Sequence, residues 1–339
     1  MVKLMDIAKK LNVSPSTVSK ALNNRPGVNP ILRKKIIKVA KEMGYEGNII
    51  AQSLRIKRTN IIGLIIPDVS NYFFGKLVMS IEKILYGSNY KYILSNTDEN
   101  EEKEIEYLRT YLQYGVDGII SVTSSKTKKG RLVKFYRDFI SNGKPLVFID
   151  RYIDSLNSSY VILDNEGASY NAVRYLYRKG HKKIGIITGP KNIFTSEMRL
   201  KGFLNAIKDL NLIFKKDWII NGEYSIQTTK KKIEALINKS KELPTAILTL
   251  NNLMAIGAME VLLEKGFKVP EEISILTFDD MPWHKFFKIP LTSINQPIEE
   301  MGVLAATILL ENIKSGKFVN RQVVLKGNLI ERGSVKKII

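Results

Sequence analysis

The first 60 residues place apolar side chains at helical spacing and show no strand pattern. Leu4, Ile7, Ala8 and Leu11 recur three and four apart, which gives a short helix one apolar face until Asn12-Val13 breaks the run. Ser14 is a natural N-cap and Pro15 suits the first helical position, so a second helix starts there and runs to about Leu22, with Val18, Ala21 and Leu22 inward. After the polar turn NNRPGVN, Asn29-Pro30 repeats the same signal. Leu32, Ile36, Val39, Ala40 and Met43 then mark a third helix ending at Gly44. Two short helices on a tight turn, with a third across them to cover their apolar faces, form a helix-turn-helix arrangement. A fourth, shorter helix is expected just beyond.

After Asn60 the texture changes. Short β-branched runs at 61–66, 91–95, 117–122, 145–150, 183–188, 246–250 and 273–278 read as buried strands. Amphipathic stretches near 75–87, 101–114, 130–142, 166–179, 197–210, 228–239, 252–265 and 298–314 alternate with them. That alternation predicts an α/β region of parallel sheets with helices on both faces. Its length, about 280 residues, exceeds one comfortable sheet and predicts two subdomains facing each other across a cleft.

Charge sharpens the picture at the N-terminus. The chain carries a formal net charge of +20, and residues 1–60 hold thirteen Lys and Arg against three Asp and Glu, half of the excess in under a fifth of the length. A basic helical head favours a polyanionic partner, nucleic acid before membrane. With no cysteine there is no disulfide framework or thiol nucleophile. No apolar run of secretory or membrane-spanning length is evident, so a soluble cytoplasmic protein with no membrane partner is expected. The two histidines, His181 and His284, have no HExxH or phosphate-loop companion and read as structural, so no enzyme, cofactor or metal site is expected.

The stretches DIAKKLNVSPSTVSKALN, GYEGNIIAQSL, IIGLIIPDVSNYFF, VDGII, PLVFIDR, DNEGA, GHKKIGIITGP, MRLKGF, ILTLNNLMAIGA, ILTFDD and LTSINQPIEEMG, taken in order, resemble the lactose repressor (LacI) family of bacterial transcriptional regulators over essentially the whole chain. The resemblance implies a helix-turn-helix head at 1–46, a hinge helix and linker at 47–60, and a core at 61–339 shaped like a type I periplasmic binding protein. In that core the chain crosses three times between an N-subdomain of about 61–158 plus 292–318 and a C-subdomain of about 159–291 plus 319–334. It also implies a ligand-responsive repressor of carbohydrate-utilisation genes, acting as a homodimer on a pseudo-palindromic double-stranded operator. The competing reading is a sugar-binding protein for transport, which the basic head and the absence of an export signal disfavour.

By the same resemblance Pro15, Ser16 and Lys20 face bases in the major groove, while Thr17, Ser19 and Asn23 approach phosphates. Lys20 can donate to guanine O6 and N7, and Pro15 offers only apolar contact. Asn48 caps a hinge helix of barely two turns, far below the roughly 12 to 15 residues at which a helix is even marginal alone. It is therefore expected to fold only on DNA. Ala51 allows two hinges to approach, and Leu54 wedges between base steps in the minor groove. Gly47 stands where the family usually has proline.

A cleft that selects a polyol needs carboxylates and amides for hydroxyls, an aromatic face and often an Arg. The positions matching the family supply Tyr72, Phe73 and Phe74 from the loop NYFF, Asp150 and Arg151 after PLVFID, then Arg199, Tyr224, Asn251, Asp280 and Gln296. Asp280 and Asn251 are expected to hold hydroxyls, Tyr224 to stack on a ring, and Arg199 to meet a hydroxyl, carboxylate or phosphate. Arg151 has the alternative of pairing with a neighbouring carboxylate. The expected effector is a sugar, sugar acid or sugar phosphate. Asn252 stands where the family usually has an acidic residue and is read as a helix cap.

Overall fold

The computed structural model describes residues 2–45, 58–125 and 130–338, which fall into two units, Met1–Thr59 and Asn60–Ile339. In the first unit, helices α1 (Leu4–Leu11), α2 (Pro15–Leu22) and α3 (Pro30–Glu42) enclose a small core of Ile7, Ala8, Val18, Ala21, Ile36 and Ala40. The caps explain the boundaries. Ser14 Oγ accepts from the Thr17 N–H at 3.1 Å and Asn29 Oδ1 from the Ile31 N–H at 2.8 Å, each ahead of a proline that needs no donor partner. Asn12 ends the first helix in the left-handed region, with φ 50°.

The second unit has two six-stranded sheets among its described residues. The first contains β1 (Ile61–Ile66), β2 (Lys91–Asn96), β3 (Gly118–Ser121), β4 (Leu146–Ile149), β5 (Ser159–Leu163) and β11 (Gln322–Leu325), in the order β11-β5-β4-β3-β1-β2. The second contains β6 (Ile184–Thr188), β7 (Ile219–Asn221), β8 (Ala246–Thr249), β9 (Ser274–Phe278), β10 (Thr292–Asn295) and β12 (Asn328–Ile330), in the order β12-β10-β9-β8-β6-β7. Helices cover both faces. In β1, Ile62, Leu64 and Ile66 enter a core with α4 (Tyr72–Gly87) and the helix Ile298–Ser315, whereas Ile65 points to the other face, against Glu101–Tyr114 and Arg131–Ser141. A strand buried on both faces reads as a continuous apolar run, which is why IIGLII lacks alternation.

Two expectations are corrected. Every described strand pair is parallel except β10 with β12, which is antiparallel. The crossings also fall later than 158, 291 and 318. β5 pairs with β4 and β11 in the first sheet, β10 pairs with β9 in the second, and β11 belongs to the first, so the chain changes lobe after Leu163, Asn295 and Leu325. The second lobe also continues past 334, where the Ile338 N–H donates to Lys179 O at 2.7 Å. The reason is pairing at long range. Strands beside a crossing are short and partly polar, and β5 and β11 meet across more than half of the core's length of chain, so no local pattern announces which sheet takes them.

Truncating the head core without touching the sheets separates the two units. Ile36→Ala is expected to cost the head about 2–5 kcal/mol. Differential scanning calorimetry of the full chain should then show a lowered head transition and loss of duplex binding, with the α/β transition within a degree of the parent.

Candidate effector cleft and DNA-facing helix

The C-terminal ends of the strands in the two sheets carry the side chains around a cavity of about 360 Å³, within the size range of small-ligand sites. From the first lobe come Asn71, Phe73 and Phe74 at the start of α4, Glu99 after β2, and Asp150 and Arg151 after β4. The second lobe brings Thr195 and Arg199 on α8 (Phe194–Asp209), Tyr224 after β7, Asn251 after β8 and Asp279 after β9. Gln296 lies on the second crossing. Strand ends in open α/β sheets are where ligands bind, because helices begin there and side chains converge.

Arg199 is buried and fixed. Its Nε donates to Asn165 Oδ1 at 2.7 Å, an Nη donates to the Leu250 carbonyl at 2.6 Å, and the guanidinium lies 4.2 Å from the Phe278 ring centre. Asp150 and Asp279 face this charge from opposite lobes. Burial raises the pKa of both; for Asp150 the Arg151 and Arg199 charges pull it back, and for Asp279 Arg199 and the Gln296 hydrogen bond do so. Gln296 Nε2 donates to Asp279 Oδ1 at 2.6 Å, and its own Oε1 is buried without a hydrogen-bond partner. A buried acceptor of that kind is ready for a ligand hydroxyl.

Rings flank the polar floor. Phe73 and Phe74 meet edge to face at 5.0 Å, and Tyr224 donates to or accepts from Thr195 Oγ1 at 2.9 Å. Tyr224 lies so close over Gly189 that a β-carbon there would stand 2.3 Å from its ring, so the ring's place depends on that glycine. Backbone strain concentrates here too. Asp98, Glu99, Asp150, Glu223, Tyr224 and Asp279 all have φ between 53° and 69° and all line the cavity. Non-glycine residues hold such angles only where the surroundings enforce them, and they cluster at functional sites.

Of the residues anticipated for the effector, Phe73, Phe74, Asp150, Arg151, Arg199, Tyr224, Asn251 and Gln296 come together in the cleft. Asp280 and Tyr72 do not. Asp280 accepts from Arg332 at 2.6 and 3.0 Å and from Ser293 Oγ at 2.6 Å, and His284 stands 3.8 Å away. Asp279 takes its place because φ 69° at that residue turns the first carboxylate of FDD inward and the second toward the lobe's flank. Tyr72 packs edge to face on Trp283 at 5.1 Å and lines a different cavity with Asp280. Asn252 is not the cap either: Asn251 Oδ1 accepts from the Met254 N–H at 2.9 Å, and Asn252 Nδ2 reaches across to Asn71 Oδ1 at 3.4 Å. Glu99, Asn71 and Thr195 were missed. Glu99 was reachable by applying the strand-end rule to KYILSNTDE, and Asn71 sits inside the NYFF loop already singled out.

In the head, Pro15, Ser16 and Lys20 are exposed on α2, whereas Thr17, Ser19 and Asn23 are half-buried. Asn23 Nδ2 donates to Ser19 O at 2.7 Å and Ser16 Oγ shares a 2.7 Å hydrogen bond with the Ser14 cap. Val18 and Ala21 anchor the opposite face. The hinge residues Asn48, Ala51 and Leu54 lie outside the described residues. Among the described residues no helix is long and apolar enough to cross a membrane.

A helix-turn-helix head joined to a two-lobed ligand-binding core defines a ligand-responsive, DNA-binding transcriptional regulator. The chain belongs to the LacI family of bacterial regulators: residues 3–48 match the model of bacterial regulatory proteins of the lacI family, and residues 59–332 match that of periplasmic binding proteins and the sugar binding domain of the LacI family. Family membership makes it a regulator rather than an enzyme. It is 30% identical over 338 residues to the HTH-type transcriptional repressor PurR of Aliivibrio salmonicida, covering all of both chains. Its fold matches the lac repressor dimer bound to operator and the anti-inducer ONPF with a TM-score of 0.86 at 23% identity, over 99% of each chain. A LacI family regulator from Enterococcus faecium, solved with bound ribose, matches 82% of this chain and 100% of its own at a TM-score of 0.72 and 28% identity.

The Asp280 cluster is a half-buried ion pair outside the cleft. Asp280→Ala strands the Arg332 charge and is expected to cost the core about 3 kcal/mol in urea unfolding. Burial pushes the His284 pKa down to about 4, against the pull of Asp280. The neutral ring therefore contributes stability fully above pH 6.5, and that contribution is lost as pH falls toward 4. The stability gap between the parent and His284→Gln, read by urea titration, should shrink from pH 7 to pH 4.5; a constant gap would contradict the assignment.

Proposed function

We propose that the chain represses genes of carbohydrate use as a homodimer in the cytoplasm, and that its effector is a small polyhydroxylated sugar held between the lobes. The observation carrying this reading is the pairing of Asp150 and Asp279, buried carboxylates from opposite lobes beside Arg199, with Phe73, Phe74 and Tyr224 as apolar walls. Carboxylates accept paired hydroxyls, and ring faces suit the C–H side of a pyranose or furanose. Groups from both lobes on one small ligand make its affinity depend on closure, which is the requirement for a ligand to shift a conformational equilibrium. The ribose bound to the Enterococcus faecium relative supports the same ligand class.

On this reading Pro15, Ser16 and Lys20 contact bases, Thr17, Ser19 and Asn23 approach phosphates, and Asn48, Ala51 and Leu54 engage the minor groove; the exposure of Pro15, Ser16 and Lys20 on α2 supports it. One head reads few base pairs, so specificity calls for two heads on a pseudo-palindrome. Exposed apolar side chains on the core, Met79 and Tyr86 on α4 and Leu263 on the helix Asn252–Glu264, support a dimer face.

Two measurements test this. Affinity for a pseudo-palindromic duplex selected from random sequence should fall steeply as salt rises, and Lys20→Ala should cost about 1–3 kcal/mol and relax the preference at one base pair per half-site. A thermal-shift screen of aldoses should yield a stabilising pentose or hexose whose affinity drops at least about tenfold in Asp279→Ala, the scale of one lost charge-assisted hydrogen bond. Equal affinity in that variant sinks the cleft assignment.

A further inference from the structure

Arg151 is the second buried cation of the cleft, and it is already spoken for. Its Nη1 and Nη2 donate to Glu99 Oε2 and Oε1 at 2.7 and 2.8 Å, a fork-to-fork pair that uses both terminal nitrogens. An Nη also lies 3.5 Å from the Thr123 carbonyl, and the Nε faces Asp150 Oδ2 at 3.4 Å. The Arg151 side chain is 4% exposed and that of Glu99 29%, so the pair closes the wall of the cavity rather than decorating the surface. Burial works against the Arg151 charge, and Glu99 and Asp150 more than offset it. Glu99 itself sits in the left-handed region with φ 56°, next to Asp98 at 53°, so the turn is bent to bring its carboxylate onto the arginine.

The charge balance follows. Around the cavity the carboxyl groups of Asp150, Asp279 and Glu99 outnumber the guanidinium groups of Arg151 and Arg199. Asp68, Asp98 and Glu223 at the rim add to that excess, with Lys103 on Asp98 the one rim counter-ion found among the described residues. Arg199 has committed Nε and one Nη to Asn165 and Leu250. On the Arg151 side a carboxylate or phosphoryl ligand would therefore meet the Glu99 carboxylate where a guanidinium fork would otherwise receive it. Neutral hydroxyls meet no such obstacle, since each can donate to Asp150 or Asp279 and accept from the Arg199 N–H groups that Asn165 and Leu250 leave uncommitted.

We propose that Glu99 is a specificity-determining residue: by occupying the Arg151 fork it reserves the cleft for neutral sugars and excludes sugar acids and sugar phosphates. This rests on the sugar reading above and narrows it. Glu99→Gln keeps the shape and one acceptor while removing the charge, which leaves Arg151 with a donor set free for an anion. Glu99→Ala does the same with no acceptor, and both lie on a partly exposed turn.

The test uses matched pairs, D-ribose with D-ribonate and D-glucose with D-gluconate, and inorganic phosphate, each titrated at constant ionic strength with thermal shift and calorimetry as readouts. In the parent protein the aldose of a pair binds better than its aldonate, and phosphate gives no shift beyond the salt control. In Glu99→Gln the ratio of aldonate to aldose affinity rises at least tenfold and phosphate becomes stabilising; Glu99→Gln with Arg151→Gln loses both gains. A parent that prefers the aldonate overturns the proposal, as does a Glu99→Gln protein with the parent's ratio and phosphate response. If the parent binds neither the two aldoses nor the two aldonates, the sugar reading fails for these ligands while the phosphate comparison still decides the role of Glu99.

Discussion

A guanidinium taken out of water must be surrounded by fixed dipoles or opposite charge, and the cleft is organised around that demand at Arg199. Its partners come from the N-terminus of the helix Asn165–Arg178, from the carbonyl that ends β8, and from the ring that ends β9. Asn165 follows directly on the first crossing, where Asp164 caps the same helix through the Gly167 N–H at 2.9 Å. One buried charge thus ties a crossing segment to two strand ends of the second lobe. Asp150, from the first lobe, and Asp279 then face it, with burial raising the pKa of both and the Arg199 charge pulling each back. Groups from both lobes therefore meet around one buried cation, at the place where a ligand touching both would gain affinity from closure.

The same economy of donors sets what each part of the head can do. Ser14 spends its oxygen on the Thr17 N–H, and Asn29 spends its own on Ile31, so the caps hold the turn and do not read sequence. Ser16 and Lys20 remain outward on a helix anchored by Val18 and Ala21. A helix of eight residues is held by tertiary packing rather than by its own propensity. Its position depends on Ile36 and Ala40 beneath it.

The head was legible in the sequence almost to the residue, because caps, prolines and apolar spacing are all local signals. The central strands were legible for the same reason: a strand buried on two faces is an unbroken apolar run. Strands at the crossings were not. SYVIL is paired with β11 far along the chain, TSIN is a short run of mostly polar residues, and QVVL and NLI are too short and exposed to declare themselves. In the site, the family pattern located the strand ends but named Asp280, whereas Asp279 lines the cleft with φ 69° and Asp280 pairs with Arg332. It also named Arg151 without its partner, since Glu99 lies 52 positions earlier and the pairing is a fact of packing.

The central claim is that cleft and head share one conformational equilibrium, and thermodynamic linkage makes it directly measurable. Calorimetric titration of the stabilising aldose into the protein, first free and then saturated with its operator duplex, gives two affinities. Their ratio must equal the ratio by which the sugar changes duplex affinity, and coupling of ordinary size makes it at least about fivefold. The account predicts that agreement. Identical sugar affinities with and without the duplex would contradict it, because a ligand indifferent to DNA cannot regulate its binding.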